Sequence, residues 1–175
     1  MYYQINYPSP IGSVTLASDG KNIVGLWFKG QKYYGGTIKN ELTDDNDLPV
    51  FSAAKNWLDN YFNGDRPAIS ELPLSLIGGD FHRAVWEILC AIPYGEHTTY
   101  GDIAKKIAVT MKKPNVSARA VGGAVGHNPI SIIIPCHRVI GANGNLTGYA
   151  GGIDKKIKLL QHEGASLPIK HSSLA

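Results

Sequence analysis

The amino-acid sequence predicts an α/β fold of the α+β kind, with a small strand-rich N-terminal domain followed by a mostly helical C-terminal domain. Three observations predict it. Short apolar and β-branched runs fill the first 30 residues, apolar side chains recur at helical spacing from residue 80 onward, and a segment from Pro67 to Gly79 separates the two regions. We therefore expect domains at residues 1–78 and 79–165, followed by a tail at residues 166–175.

The first domain begins with three predicted strands, which are Tyr2–Asn6, Val14–Ala17 and Ile23–Phe28. Asp19-Gly20 lies between the second and the third and predicts a tight hairpin. The polar segment at residues 31–46 predicts a loop or a ragged edge strand, and Leu74–Ile77 predicts a short extended run. Between them, apolar residues at helical spacing predict a helix that ends near Gly64. These residues are Phe51, Ala54, Leu58, Tyr61 and Phe62.

The second domain contains four predicted helices. Asp80 can cap the first, and Thr98 or Thr99 can cap the second. The third covers about residues 115–126 and the last covers residues 152–162. Because the second and third helices are short and joined by a turn, they predict a helix-turn-helix. The side chains expected to face inward on the last helix are Ile153, Ile157 and Leu160.

Composition and charge limit the classes of function. The chain has no run of eighteen apolar residues and no secretion signal at its start, and two cysteines fit a reducing interior better than a disulfide framework. Residues 1–80 have six Lys/Arg and nine Asp/Glu, a balance of −3, whereas residues 100–140 have six basic residues and one acidic residue, a balance of +5. This basic stretch indicates either a surface that faces phosphates or an ordinary solvated lysine face.

The third predicted helix contains two consecutive glycines, Gly122-Gly123. Glycine inside a helix costs about 1 kcal/mol relative to alanine, so a close approach to something must compensate. One alternative is tight packing on a neighbouring helix. The other is a smooth face that lies against a nucleic-acid groove.

Cys136 is the candidate nucleophile. It follows Ser131–Ile134, which we expect to be a buried extended run, and His137 and Arg138 come directly after it. A free thiol has a pKa of about 8.5, so a reactive cysteine needs nearby cationic or hydrogen-bonding groups. Adjacent residues of an extended chain point to opposite faces, so His137 reaches Cys136 only if the backbone turns or a water bridges them. Cys90, in an apolar helix, is most simply a buried hydrophobic residue.

The segment around Cys136 resembles the active-site signature of the methylated-DNA–protein-cysteine methyltransferases, also called 6-O-methylguanine-DNA methyltransferases. Four further segments match this family in order and spacing. The five segments, which together span about residues 80–165, are Gly-His-Asn-Pro-Ile-Ser-Ile-Ile-Ile-Pro-Cys-His-Arg-Val-Ile at 126–140, Ile-Pro-Tyr-Gly-Glu-His-Thr-Thr-Tyr-Gly-Asp-Ile-Ala at 92–104, Ala-Arg-Ala-Val-Gly-Gly-Ala at 118–124, Gly-Tyr-Ala-Gly-Gly at 148–152 and Leu-Leu-Gln-His-Glu-Gly at 159–164.

The resemblance implies repair of alkylated DNA by stoichiometric, irreversible transfer of a methyl or alkyl group from 6-O-alkylguanine to Cys136, with 4-O-alkylthymine left open as a second substrate. It implies that Glu163, His137 and a bridging water withdraw the thiol proton. It further implies that Asn128 braces the active-site turn and that Tyr100 assists the leaving guanine. The residues that match the family's base pocket are Tyr149, Ala150 and Val139.

The resemblance also implies that the target base is flipped out of the duplex and that Arg119 fills the space that it leaves. The expected partner is double-stranded DNA that contains alkylated guanine, bound through its minor groove by a monomer. The residues expected to contact this DNA, besides Arg119, are Ser117, Ala118, Ala120, Gly122 and Gly123. The implied N-terminal fold is ribonuclease-H-like. We expect no membrane partner and a cytoplasmic location, with nucleoid association in a prokaryote or a nuclear location in a eukaryote.

We expect no cofactor and no metal. Some members of the family hold a structural zinc in the N-terminal region through Cys and His, but this chain has no cysteine before Cys90.

Two other classes of function remain open. A non-catalytic module that binds alkylated DNA lacks the nucleophile, and the presence of Cys136 argues against it. A thiol hydrolase that uses Cys136, His137 and Glu163 would turn over and would leave the helix-turn-helix and Arg119 without a role.

Overall fold

The computed structural model describes residues 1–36 and 38–165. Its N-terminal part is a four-stranded sheet in the order β3-β2-β1-β4, in which β1, β2 and β3 are antiparallel neighbours and β4 pairs parallel to β1. The Asp19 carboxylate accepts hydrogen bonds from the backbone N–H groups of Lys21 and Asn22 and so closes the predicted hairpin. The strands are β1 (Tyr2–Ser9), β2 (Gly12–Ser18), β3 (Ile23–Phe28) and β4 (Leu42–Asp44).

Helix α1 (Pro49–Phe62) covers one face of this sheet. Its residues Phe51, Ala54 and Leu58 are fully buried, as their helical spacing predicts, and they join the core that continues into the C-terminal part. Tyr61, near the end of the helix, is also buried, and its hydroxyl donates a hydrogen bond to the Glu163 carboxylate.

Up to residue 165, where the described residues end, the C-terminal part contains four α-helices, and α3 and α4 form the predicted helix-turn-helix. The Thr99 side chain caps α3 and the Ser117 side chain caps α4. The predicted first residues of two helices were wrong. The third predicted helix begins at Ala118 rather than near residue 115, because Ser117 supplies the cap, and Asp80 is the first residue of its helix rather than its cap. The helices are α2 (Asp80–Cys90), α3 (Tyr100–Thr110), α4 (Ala118–Gly126) and α5 (Ile153–His162).

The segment before Cys136 is not an extended strand, so this prediction was wrong. Ile134 N–H donates to the Ile130 carbonyl and Ile132 has φ of +69°, a left-handed conformation that a β-branched residue rarely adopts. The Asn128 amide holds this turn, because it accepts from Ile130 N–H at 3.1 Å and donates to the Ile134 carbonyl at 2.9 Å. Burial on all sides removes the alternation of apolar and polar residues that would distinguish a strand from a buried turn.

A short parallel pair links the helix-turn-helix to the segment after Cys136. Thr98 pairs with Val139 and Thr99 with Ile140, so β5 (Thr98–Thr99) and β6 (Val139–Ile140) fix the start of α3 beside the thiol. None of the helices among the described residues is long and apolar enough to cross a membrane. The division into domains at residue 78 stays a prediction, and the predicted tail at residues 166–175 lies outside the described residues.

Candidate active site and nucleic-acid interface

Cys136 lies in the wall of a cavity of about 780 Å³ that opens beside α4. It begins a single helical turn, Cys136–Arg138, and only 4% of its surface is exposed. The backbone therefore turns at this position, which is one of the two ways in which we expected His137 to reach Cys136. Besides Cys136, the walls include Lys32, Tyr33, Tyr100, Ala118, Arg119, Gly122, Gly123, Thr147, Tyr149 and Ala150.

The environment of the thiol acts on its pKa in two directions. Burial raises the pKa of Cys136 because the thiolate loses its contact with water. Asn128, Lys156 and Tyr149 lie close enough to lower the pKa of the thiol, each by stabilising negative charge on sulfur. Burial has the larger effect, so the resting group is the thiol and a base must take its proton before the sulfur can attack.

Glu163 is the centre of a buried hydrogen-bond cluster. Its Oε1 lies 2.8 Å from His137 Nε2 and 2.7 Å from Arg138 Nη2, and Arg138 Nε donates to Oε2 at 2.9 Å. The Tyr61 hydroxyl donates to the same Oε1 at 2.9 Å. Burial alone would raise the pKa of Glu163, but the hydrogen bonds from His137 and Arg138 outweigh it and hold the pKa well below its usual range. Glu163 is therefore a carboxylate at neutral pH.

This carboxylate fixes the tautomer of His137. Burial lowers the pKa of His137 even though Glu163 opposes the shift, so the ring is neutral at neutral pH. A carboxylate only accepts hydrogen bonds, so Nε2 must be the protonated nitrogen. Nδ1 then has a free lone pair, and it is buried without a hydrogen-bond partner among the described residues. His137 is consequently a base whose proton-accepting atom is Nδ1.

Tyr100 places a hydroxyl in the cavity wall that contains Cys136. Its oxygen donates to the Thr147 carbonyl at 3.0 Å. Burial and the neighbouring Cys136 raise the pKa of Tyr100 to about 12, so the hydroxyl stays protonated and can donate a proton or a hydrogen bond.

The predicted base-pocket residues are only partly brought together. Tyr149 and Ala150 line the cavity, and Tyr149 is partly buried with its hydroxyl oxygen buried near the sulfur. Val139 is not among the residues that line the cavity, and its place in the base pocket stays a prediction. Its side chain is fully buried because β6 pairs with β5 at this residue and directs it into the core.

Lys156 is a site residue that the sequence analysis missed. Its side chain is fully buried, and Nζ donates to the Gly148 carbonyl at 3.2 Å and lies 5.8 Å from the centre of the Tyr100 ring. Burial lowers the pKa of Lys156 to about 8, while Cys136 opposes the shift. Helical spacing is consistent with its burial, since it lies three residues after Ile153 and four before Leu160, on the inward face.

The outer face of α4 has small side chains at the rim of the cavity. A Cβ on Gly122 would lie 3.8 Å from the Tyr100 ring, in ordinary contact, and a Cβ on Gly123 would meet nothing within 4 Å. Packing on α2 instead involves the opposite face, where Trp86 donates to the Ala124 carbonyl at 2.8 Å. Neighbouring helices therefore do not explain Gly123, whereas an external partner would. Arg119, Ser117, Ala118 and Ala120 are exposed on the same helix or at its cap.

No group of three or more His, Cys, Asp or Glu side chains within residues 1–36 and 38–165 is arranged to hold a metal ion.

Comparisons with known proteins identify this architecture. A family model described as 6-O-methylguanine DNA methyltransferase, ribonuclease-like domain, matches residues 1–76. A second, described as 6-O-methylguanine DNA methyltransferase, DNA binding domain, matches residues 80–165. Together they account for nearly the whole described chain.

Individual relatives match at similar lengths. A methylated-DNA–protein-cysteine methyltransferase of Haemophilus influenzae is 42% identical over 92% of this chain and 86% of its own, and one of Mycobacterium tuberculosis is 46% identical over 91% of each. A solved structure of Mycobacterium tuberculosis OGT in complex with DNA superposes with a TM-score of 0.78 at 44% identity, over 93% of this chain and 92% of that one. The predicted α+β fold class is confirmed by these matches.

Proposed function

Because the chain belongs to the 6-O-methylguanine DNA methyltransferase family, we propose that it repairs alkylated DNA by moving an alkyl group from O6 of a guanine to Sγ of Cys136. The observation that supports this most directly is the position of the sulfur. It lies in a cavity wall next to a neutral histidine whose other nitrogen is bonded to a buried carboxylate. A thiol in that setting can pass its proton to the histidine and become a nucleophile.

In the first step the Cys136 thiol gives its proton to His137. Nδ1 of His137 takes the proton, with one water as the bridge, and the ring becomes an imidazolium. Glu163 stabilises this cation through its contact with Nε2 at 2.8 Å. Forming the thiolate and the imidazolium in a buried site therefore costs less free energy than it would without the carboxylate. Lys156 and Asn128 stabilise the thiolate that results.

In the second step the thiolate attacks the alkyl carbon. A carbon–sulfur bond forms, the bond between carbon and guanine O6 breaks, and its electron pair goes to the purine. The purine takes up one proton and the His137 imidazolium releases one to solvent, so that the net proton passes from the thiol to the guanine. The Tyr100 hydroxyl, which turns from the Thr147 carbonyl toward the bound base, donates a hydrogen bond that stabilises the negative charge developing on the purine. The product is a thioether, a poor leaving group, so the protein accepts one alkyl group and is spent.

DNA binding rests on α4. We propose that its small-residue face enters the minor groove, because exposed Gly123 leaves the backbone free to approach closely, and that Arg119 fills the space left by the flipped base. Contacts to phosphate and to groove shape suffice, since damage can occur in any sequence context. One copy of the chain contains every residue of this site, which supports action as a monomer.

The test uses duplex DNA with a labelled methyl group on 6-O-methylguanine. We expect label to move to the protein up to a one-to-one ratio and then stop. Cys136→Ala should accept none, while Cys90→Ala should react like the wild type. Continued turnover beyond one equivalent would contradict a suicide transfer and favour the thiol hydrolase.

A second experiment tests the arginine. Arg119→Ala should slow repair of the duplex far more than reaction with free 6-O-benzylguanine, because the free base needs no flipping. Equal losses on the two substrates would contradict a role for Arg119 in the duplex.

A further inference from the structure

The loop between β3 and β4 reaches the cavity from the N-terminal part of the chain. We call residues 29–36 the β3–β4 loop. Two of its side chains, Lys32 and Tyr33, form part of the cavity wall. The proposed transfer chemistry uses neither of them.

The loop is attached to both functional regions around the cavity. Lys32 N–H donates to the carbonyl of Ala150, a base-pocket residue, at 3.1 Å. The Tyr33 ring stacks on His127 with 3.8 Å between ring centres and 21° between planes. The His127 Nδ1 atom lies 2.7 Å from the carbonyl of Gly123 in α4. The loop is therefore positioned relative to the pocket and to the recognition helix at once.

Tyr33 has a conformation and an exposure that folding alone does not favour. Its φ of +59° is left-handed, which is uncommon for a bulky side chain and tends to occur at functional positions. Although one ring face stacks on His127, 44% of the residue is exposed. The exposed Lys32 ammonium lies 5.0 Å from the centre of the Tyr33 ring, so cation and aromatic surface form one patch at the rim.

We propose that Lys32 and Tyr33 bind the DNA strand that carries the flipped nucleotide. This inference rests on the proposed function. A base that enters the cavity brings its own phosphates to the rim, and the residues that line the cavity include Arg119 of α4 as well as Lys32 and Tyr33 of the β3–β4 loop. The Lys32 ammonium contacts a phosphate next to the flipped nucleotide, and the Tyr33 ring packs on its sugar or on the adjacent base. Such contacts hold the strand in register without reading sequence.

The test of Lys32 measures affinity for a duplex that contains 6-O-methylguanine, in the Cys136→Ala background, at several salt concentrations. Lys32→Ala should bind about 5- to 10-fold more weakly, and the slope of log K against log salt should become shallower by about one. Lys21→Ala is the matched control, because this exposed lysine lies at the opposite end of β3, about 20 Å away along the strand. It should bind like the parent.

The test of Tyr33 uses its neighbour as the control. Tyr34 is equally exposed, at 46%, but it lies outside the cavity wall, and its hydroxyl bonds Thr15 at 2.7 Å. Tyr33→Ala should lose about 5-fold or more in duplex affinity, since stacking on a nucleotide is lost, and Tyr34→Ala should not. Alkyl transfer from free 6-O-benzylguanine, which brings no strand to the rim, should fall in Tyr33→Ala by a clearly smaller factor than the affinity for the duplex.

Two outcomes would overturn the proposal. One is unchanged duplex affinity and salt slope in both loop variants. The other is an equal loss with the free base, which would mean that the loop acts on the pocket rather than on DNA. Both are distinct from failure of the proposed function, which would appear as a wild-type protein that takes no label from the duplex.

Discussion

The Tyr61 hydroxyl donates a 2.9 Å hydrogen bond to Oε1 of Glu163, joining residues that lie 102 positions apart in the chain. The same oxygen accepts from His137, and the Tyr61 carbonyl lies 2.6 Å from His162 Nε2. Tyr61 thereby bonds α1 to His162, the last residue of α5, and to Glu163, the residue after it. Burial and the carboxylate raise the pKa of Tyr61 well above its usual range, so this hydroxyl remains a donor. The N-terminal part of the chain thus helps to hold the carboxylate that orients the histidine.

Tyr61→Phe should lower the free energy of unfolding by about 1.5–3 kcal/mol, because it removes a hydrogen bond to a buried charged group and keeps the ring. It should also slow alkyl transfer, because Glu163 is then held only by its other donors. Urea unfolding and single-turnover kinetics measure the two effects. Tyr7→Phe, which removes another hydroxyl bonded to a carboxylate, Asp59, at a residue that does not line the cavity, is the control for stability. Transfer at the wild-type rate in Tyr61→Phe would mean that the hydrogen bond from Tyr61 to Glu163 stabilises the fold and does not affect the reaction.

Glu163→Gln should produce a protein whose free energy of unfolding changes less with pH in the acid range. The pKa of Glu163 is held below its unfolded value of about 4.3, so its stabilising contribution is full above that pH and is lost as the pH falls toward the folded pKa. At pH 7 the variant should be less stable by about 3–5 kcal/mol, because Arg138 is left buried without its partner. The difference between the two proteins should shrink below pH 4. A constant difference from pH 7 to pH 3, measured by urea unfolding, would refute the assignment.

Lys156→Met should change the alkaline side of the stability profile. The pKa of Lys156 is lowered by burial to about 8, against about 10.4 when unfolded, so the unfolded chain binds more protons between these values. The contribution of Lys156 to stability is therefore present above pH 10.4 and is lost as the pH falls through about 8. Relative to Lys156→Met, the wild type should gain on the order of 2–3 kcal/mol between pH 7.5 and 10.5. Lys158→Met, exposed on the same helix, should follow the wild type, and parallel profiles for all three proteins would contradict the prediction.

Sequence periodicity was sufficient for most of the fold. Helical spacing predicted α1 and its buried residues Phe51, Ala54 and Leu58, and the Asp19-Gly20 signal predicted the β2–β3 hairpin. Periodicity gave the wrong structure at residues 131–134, because this uniformly buried apolar run has no alternation of apolar and polar residues. The turn there depends on the side-chain amide of Asn128, which lies outside the run.

Those site residues that lie in the family's sequence motifs could be predicted. The resemblance named Cys136, His137 and Glu163, and the structure places the histidine and the carboxylate in contact, whereas their chemical roles stay predictions. Tyr61 was expected only as an apolar residue of a helix face, because nothing local encodes a hydrogen-bond partner 102 residues away. Lys156 fitted the inward spacing of α5, but a lysine is seldom fully buried, so the pattern alone does not single it out.

Gly123→Ala should separate stability from DNA binding. The position is helical and exposed, and an added Cβ would meet nothing within 4 Å, so the substitution should stabilise the protein by about 0.5–1 kcal/mol through lower backbone entropy in the unfolded chain. If this face lies in a minor groove, the added methyl group should hold the duplex away and weaken its binding several-fold. Thermal unfolding measures the first effect and titration of fluorescent duplex DNA the second, while the rate with free 6-O-benzylguanine should not change. A variant that is more stable and binds DNA as tightly as the wild type would argue against close approach of the helix to DNA at Gly123.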